Sequence, residues 1–221
     1  MGTHKKTTRL PVQHSVHTVK GEQTKRKLIR VAADLALRQG FRKTSLDEIL
    51  SEAAIPKGSL YFYFKNKAEL GRAVIQYRRE TLLEALREIF QNSDATLKDQ
   101  IKDWFAFMLS TQETSAGPLG CPLGNLAQEL SREDEAFTQE VDLFFTQAQT
   151  ILSQRLAEVQ KEGALVSRPP PGDIAHFLLM ASQGALLLVR VRNSVAPLLE
   201  ARKTMLTFLD SLTPEQQVVR V

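Results

Sequence analysis

Residues 55–70, IPKGSLYFYFKNKAEL, set four consecutive rings, Tyr61, Phe62, Tyr63 and Phe64, beside lysines at 57, 65 and 67. A core helix has no use for the lysines, and a solvated helix has none for the rings. The mixture makes sense if one short helix packs on one side and grips an anion on the other. Nucleic acid suits the chemistry. Lys57 can donate to guanine O6 and N7. Gly58 has no side chain, so backbone and bases can approach closely. Ser59 can bond a base or a phosphate. Tyr61 and Phe62 can meet a thymine methyl or a sugar, and Tyr63 offers a hydroxyl at the rim where phosphates pass. Lys65 and Lys67 flank the start of the next helix, whose free N–H groups and positive dipole end suit a phosphate. Leu60 and Phe64, four apart, are expected to face a small core.

Catalytic chemistry is poorly supplied. Three of the four histidines, His4, His14 and His17, fall in the N-terminal segment, and His176 has no ligand-spaced partner. Neither the phosphate-binding GxxxxGKS/T nor the dinucleotide-binding GxGxxG occurs. The expectation is a protein that is not an enzyme, with no cofactor and no metal. The one cysteine, Cys121, excludes an intrachain disulfide and suits a reducing, cytoplasmic setting. Pro122 fits the first position of a helix, which places Cys121 near its N-cap, where a thiol pKa can be lowered. A small buried apolar role is also open to it.

The charge is divided. Residues 1–79 carry 17 Lys and Arg against 6 Asp and Glu, whereas residues 80–221 carry 12 against 19. A basic front suggests a polyanion, and the acidic remainder argues against uniform coating of nucleic acid. The 221 residues, 43% hydrophobic and 24% charged, suffice for one large domain or a small one fused to a larger. The N-terminal segment lacks the apolar stretch of a secretory signal, and no run of about 18 apolar residues suggests a membrane span. Residues 1–23 read as a loose basic tail, with Lys5, Lys6, Arg9 and Lys20 able to reach phosphates or a minor groove.

The elements that must position these groups are helical. Leu28, Val31, Ala32, Leu35 and Ala36 follow the amphipathic helix rule, with Thr24 as a cap and Gly40 at the stop. Ser45 and Glu48 form a capping box for a second helix with Leu46, Ile49, Leu50 and Ala53 as its stripe. Pro56 breaks it, and a third, short helix runs from about Lys57 to Phe64. Asn66, with Glu69 three residues on, opens a long helix to about Gln91. Asp94 is expected to cap a fifth, to about Glu113. A short helix follows Cys121, a long one runs over about 132–162, and two more cover about 173–192 and 194–212. Strand alternation is absent, so the fold class is all-α. Two helices joined by a tight turn, with a third closing the core, make a helix-turn-helix unit whose second helix enters the major groove.

TSLDEILSEAAIPKGSLYFYFKNKAEL, residues 44–70, resembles the DNA-binding region of the TetR family of bacterial transcriptional regulators. The resemblance covers residues 24–70. It departs at Tyr63, where the family often has His, and at Pro56, where Ser is usual. It implies a helix-turn-helix domain over 24–70 and a larger helical ligand-binding and dimerisation domain over 71–221. It implies a homodimer on a double-stranded DNA operator, a repressor by default, released by an unknown small-molecule effector. It also makes Thr44 and Ser45 phosphate contacts.

The family dimerises through its last helices. Here Ala175, Leu178, Leu179, Ser182, Ala185, Leu186 and Val189 line one of these, and Leu198, Met205, Leu206 and Leu209 the other. Trp104, Phe105, Met108, Cys121, Phe144, Phe145, Phe177, Met180 and Gln183 are candidates for an effector pocket. GCPLGNLAQEL resembles a subgroup with a Gly-Cys pair opening the same helix, some members of which sense electrophiles or oxidants. The alternative reading is therefore a thiol-based sensor acting through Cys121.

Overall fold

The computed structural model describes residues 13–113, 117–130 and 135–214, with side chains from residue 21 onward. Among the described residues every regular element is a helix: α1 (Gln13–Gln39), α2 (Leu46–Ala53), α3 (Lys57–Tyr63), α4 (Lys67–Phe90), α5 (Leu97–Ser110), α6 (Pro122–Leu130), α7 (Glu135–Lys161), α8 (Pro171–Arg192) and α9 (Ala196–Ser211).

α1, α2 and α3 form the small N-terminal unit. Leu28, Ala32, Leu35 and Ala36 of α1 meet Ile49, Leu50 and Ala53 of α2 and Leu60 of α3, all buried. The described part of α1 includes residues 13–23, so Thr24 lies inside the helix and 13–23 are not a loose tail. Good helix formers such as Lys20, Glu22 and Gln23 let the helix propagate past the cap. The expected tail lysines Lys5 and Lys6, with Arg9, lie outside the described residues, as does the side chain of Lys20. Gly40 ends α1 at φ +91, a conformation that favours glycine.

α2 opens with the expected capping box, Ser45 accepting from the Glu48 N–H and Glu48 from the Ser45 N–H. It stops at Ala54, which takes the left-handed conformation at φ 51, two residues before Pro56. That residue turns the chain tightly into α3.

α4, 24 residues and about 36 Å long, leaves this unit and enters the larger one. Leu70, Val74 and Ile75 are buried near its start, and Leu83, Leu86 and Phe90 near its end. Arg78 pairs with Asp34 of α1 at 2.7 Å, and Arg79 with Glu140 of α7. α5 is capped by Thr96, whose hydroxyl accepts from the Asp99 N–H, and not by Asp94. In the C-terminal half α7 packs on α4 and α8, and α8 on α9. Arg155 of α7 is buried but satisfied: its Nε donates to Gln100 Oε1 at 2.9 Å, and Gln100 Nε2 donates to the carbonyls of Ile89 and Asn92.

α8 corrects one expectation. It is long and apolar enough to cross a membrane by length and composition, yet it packs here between α7 and α9. Ala175, Leu178, Leu179, Ser182, Ala185, Leu186 and Val189, read from sequence as an intersubunit face, are all buried within the chain. Leu198, Met205 and Leu209 of α9 are buried too, and Leu206 is half-buried. The apolar stripe left to solvent is the opposite one, with Phe177, Leu188 and Val191 exposed and Met180 and Leu187 beside them. Phe177, Ala181, Gly184, Leu188 and Val191 recur at i, i+4, i+7, i+11 and i+14, one face of the helix.

Candidate nucleic-acid interface and effector cavity

α3 is short and two-sided. Leu60 and the following Phe64 are sealed into the core, while Tyr61 is 59% and Phe62 82% exposed. The leading edge is open: Lys57 and Gly58 are exposed, Ser59 is half-buried, and a Cβ on Gly58 would meet nothing within 4 Å. Lys57 Nζ lies 2.8 Å from Asp47 Oδ1 of α2. The hydrogen bond to Asp47 raises its pKa, so the ammonium is held charged at the front of the helix. Asp47 was not anticipated, because its pairing depends on the α2–α3 crossing and leaves no local sequence signal.

The rim is more mixed. Tyr63 is half-buried, its ring edge-on to Phe62 at 4.9 Å, and a Cβ on Gly21 of α1 would sit 3.5 Å from its hydroxyl. The start of α4 is occupied by its own chain. The Lys65 N–H donates to Glu69 Oε2 at 2.7 Å, and the Glu69 N–H to Asn66 Oδ1 at 2.9 Å. The Lys65 side chain is exposed. Lys67 is turned back: its Nζ donates to the Arg42 carbonyl at 2.9 Å and stands 5.1 Å from the centroid of the Phe41 ring. Burial pushes its pKa down. Thr44 is fully buried, its hydroxyl donating to the Gly40 carbonyl at 2.8 Å. Thr44 is therefore sealed into the turn between α1 and α2, and Lys67 grips the same turn from a half-buried position. Ser45 is exposed, and because its hydroxyl oxygen accepts from Glu48, its proton stays free to donate outward.

A second feature lies between α5, α6 and α8, with α4 and α7 at its sides. Trp104, Met108, Cys121, Phe144 and Gln183 converge on a narrow cavity of about 40 Å³, closed further by Leu86, Leu179 and Leu186. Among the described residues, no Asp, Glu, Lys, Arg or His lines it. Two of its polar side chains are committed to the backbone: Thr111 Oγ1 donates to the Met108 carbonyl at 2.6 Å, and Gln112 Oε1 accepts from the Leu119 and Gly120 N–H groups at 3.0 and 2.8 Å. Gln183 remains, beside the Cys121 thiol. Burial pushes the Cys121 pKa up, and the weaker donation from the Gly124 N–H at 3.3 Å does not reverse this. The thiolate expected from the N-cap position is not favoured, because a helix start sealed from water penalises the charge more than its dipole helps.

Four expected lining residues lie elsewhere. Phe105 is fully buried in the core. Phe145 is half-buried, edge-on to Phe144 at 5.0 Å. Phe177 and Met180 are 43% and 54% exposed on the outer face of α8, roughly half a turn from the wall formed by Leu179 and Leu186. Phe177 instead meets Phe208 of α9, ring to ring at 5.1 Å.

Two helices joined by a left-handed residue, the second anchored by Leu60 and Phe64 and free at its leading edge, make the helix-turn-helix arrangement of a DNA-binding protein. Comparison with known proteins gives the family. Residues 28–74 match the bacterial regulatory proteins of the TetR family, and residues 97–204 match the LmrA/YxaF-like transcriptional regulator C-terminal domain. The chain is 31% identical over 172 residues to an HTH-type transcriptional regulator in the lacX 3′ region of Lactococcus lactis subsp. lactis, covering 78% of this chain and 86% of that one. It is 25% identical over 171 residues to the HTH-type transcriptional repressor DhaR of a Mycobacterium species, covering 77% and 84%. The crystal structure of the reduced form of NemR from Escherichia coli superposes with a TM-score of 0.76 at 26% identity, covering 83% of this chain and 95% of that one.

The chain belongs to the TetR family, and it is a DNA-binding transcriptional regulator. Regulators of this family bind operator DNA and act as dimers; they are not enzymes.

Proposed function

We propose that this regulator is a repressor that binds its operator as a homodimer and leaves it when a small uncharged molecule enters the cavity between α5, α6 and α8. The observation that carries the reading is the open leading edge of α3. Its cation and its bare glycine face solvent while Leu60 and Phe64 hold the helix to the body. Lys57, Gly58 and Ser59 read base edges, Tyr61 and Phe62 contact sugars and thymine methyls, and Ser45, Tyr63 and Lys65 meet the backbone. α1 to α3 form the DNA-binding part, and the helices beyond it the effector and dimerisation part. The dimer forms through α8 and α9 by way of the exposed stripe of Phe177, Leu188 and Val191, with Leu199 of α9 also exposed.

The effector is uncharged because the described residues around the cavity offer no counter-ion, and a buried unpaired charge is costly. It is mostly apolar, with one hydrogen-bonding group for Gln183. Sensing through a Cys121 thiolate is the weaker reading, since burial keeps that thiol protonated.

The test is selection of duplex DNA from a random pool on the wild-type protein. Enrichment of a two-fold symmetric site is expected. Lys57→Ala is expected to lose about 1–3 kcal/mol on that site and to relax selectivity at one position of each half-site. A pool that yields no sequence, or an equal loss on random DNA, contradicts the reading.

A further inference from the structure

α2 carries three acidic residues, Asp47, Glu48 and Glu52, in the part of the chain that must approach a polyanion. Two of them are tied back to α1. Both oxygens of Glu48 accept from Gln39 Nε2, at 3.0 and 2.9 Å, and Glu52 pairs with Arg38 at 3.1 Å. Asp47 reaches forward to α3 instead, where its Oδ1 lies 2.8 Å from Lys57 Nζ. The register between them is fixed from beneath. Ile49, Leu50 and Ala53 of α2 and Leu60 of α3 are buried, and left-handed Ala54 sets the turn. A carboxylate and an ammonium ten residues apart in the chain thus stand side by side on the open front, their side chains 73% and 70% exposed.

An ion pair so exposed adds little to the fold, and the capping box closes the start of α2 without Asp47. On a face that meets DNA the carboxylate carries a cost, because it repels nearby phosphates. A base that donates to it offsets that cost. The ammonium has three protons. One serves Asp47, which leaves two for the guanine acceptors N7 and O6. The cytosine N4 amino group donates, and it is hydrogen-bonded to guanine O6 within the base pair, so that donor and acceptor lie about 2.9 Å apart. The Asp47–Lys57 pair offers the complementary set at 2.8 Å. A T·A pair fits less well: it gives the ammonium only thymine O4 and sets a methyl group beside it. Adenine facing Lys57 opposes one donor to another.

We propose that Asp47 is a specificity-determining residue, which with Lys57 reads one G·C pair in each half-site, Lys57 donating to guanine N7 and O6 and Asp47 accepting from cytosine N4. The inference rests on the DNA-binding reading above. Elsewhere on a duplex the carboxylate meets phosphates without that donor, so it acts against wrong sequences as well as for the right one.

The test uses full-length protein, the duplex selected on the wild type, and random duplex. The wild type is expected to select a G·C pair whose replacement by A·T weakens binding about tenfold. Asp47→Ala is expected to bind the selected duplex about tenfold more weakly, to bind random duplex more tightly than the wild type, and to relax that one position when selection is repeated. A loosened fold would weaken binding to both duplexes. Asp47→Asn, which keeps one acceptor oxygen without the charge, should show the same gain on random duplex with a smaller loss on the selected one. Combined with Lys57→Ala, the loss from Asp47→Ala should fall short of the sum, since both residues act on one base pair. Unchanged selectivity in Asp47→Ala, no gain on random duplex in either variant, relaxation at a position other than G·C, or losses that add overturn the proposal. A wild-type selection that enriches nothing counts against the DNA-binding reading instead.

Discussion

Cys121 shows two local effects opposing each other at one residue. Its place before Pro122 at the start of α6 is where dipole and N–H donors stabilise a thiolate. Its burial among Trp104, Met108 and Phe144 removes the water that a thiolate needs, and burial wins, raising the pKa. The native thiol therefore stays protonated over a range where the unfolded one ionises. A group with a raised native pKa adds stability below its unfolded value, and that contribution fades as pH climbs toward the native one. Stability of the wild type should thus decline above about pH 8.5, and Cys121→Ser should flatten that limb in urea titrations run across pH. Alkylation by iodoacetamide at pH 7.5 should be slow in native protein and fast in urea. Fast native alkylation would restore the thiol-sensor reading.

At the level of elements, the close packing of α4 on the turn between α1 and α2 depends on one missing side chain. Gly71 of α4 faces the ring of Phe41, and a Cβ there would stand 2.8 Å from Phe41 Cζ and 3.1 Å from Phe137 Cζ. Both rings are buried, so neither has room to swing away. Glycine inside a helix is otherwise unfavourable by about 1 kcal/mol against alanine, so Gly71→Ala would stabilise α4 taken alone. In the folded protein the overpacking should prevail, with a net loss of about 1–3 kcal/mol. Urea unfolding measures it, and a gain in stability would show that α4 and α1 can slide apart freely. The same packing brings the Phe41–Arg42 turn within reach of Glu129 and Lys67.

For the molecule as a whole, the division of charge matches the division of labour. The basic part contains α1 to α3, and the acidic remainder supplies the helices that surround the cavity. One α3 reads few bases, so affinity and specificity require a second copy at a fixed spacing. In the dimer proposed above, the outer stripe of α8, beside Leu199 of α9, is the self-complementary surface. Leu188→Glu places a charge in that stripe without disturbing the buried one, so the fold should survive. Sedimentation should then report a monomer and helical content should be unchanged. Affinity for a two-half-site duplex should fall much further than affinity for a single half-site. A Leu188→Glu dimer would move the interface elsewhere.

Periodicity and caps determined much of this protein in advance. The capping box at Ser45, the Asn66 cap, the turn before α3 and the burial of Leu60 and Phe64 all follow from interactions spanning a few residues, which sequence displays directly. The facing of long helices does not. α8 is apolar nearly all round, so its sequence could not say which stripe belongs to the core, and only packing against α7 and α9 decided it. Lys67 turns back to the Arg42 carbonyl, and Cys121 stays protonated, because partners distant in the chain meet them. Glu129 meets a turn 87 and 88 residues away. Hydrogen bonding and desolvation depend on what is near in space, and only the tertiary structure sets that.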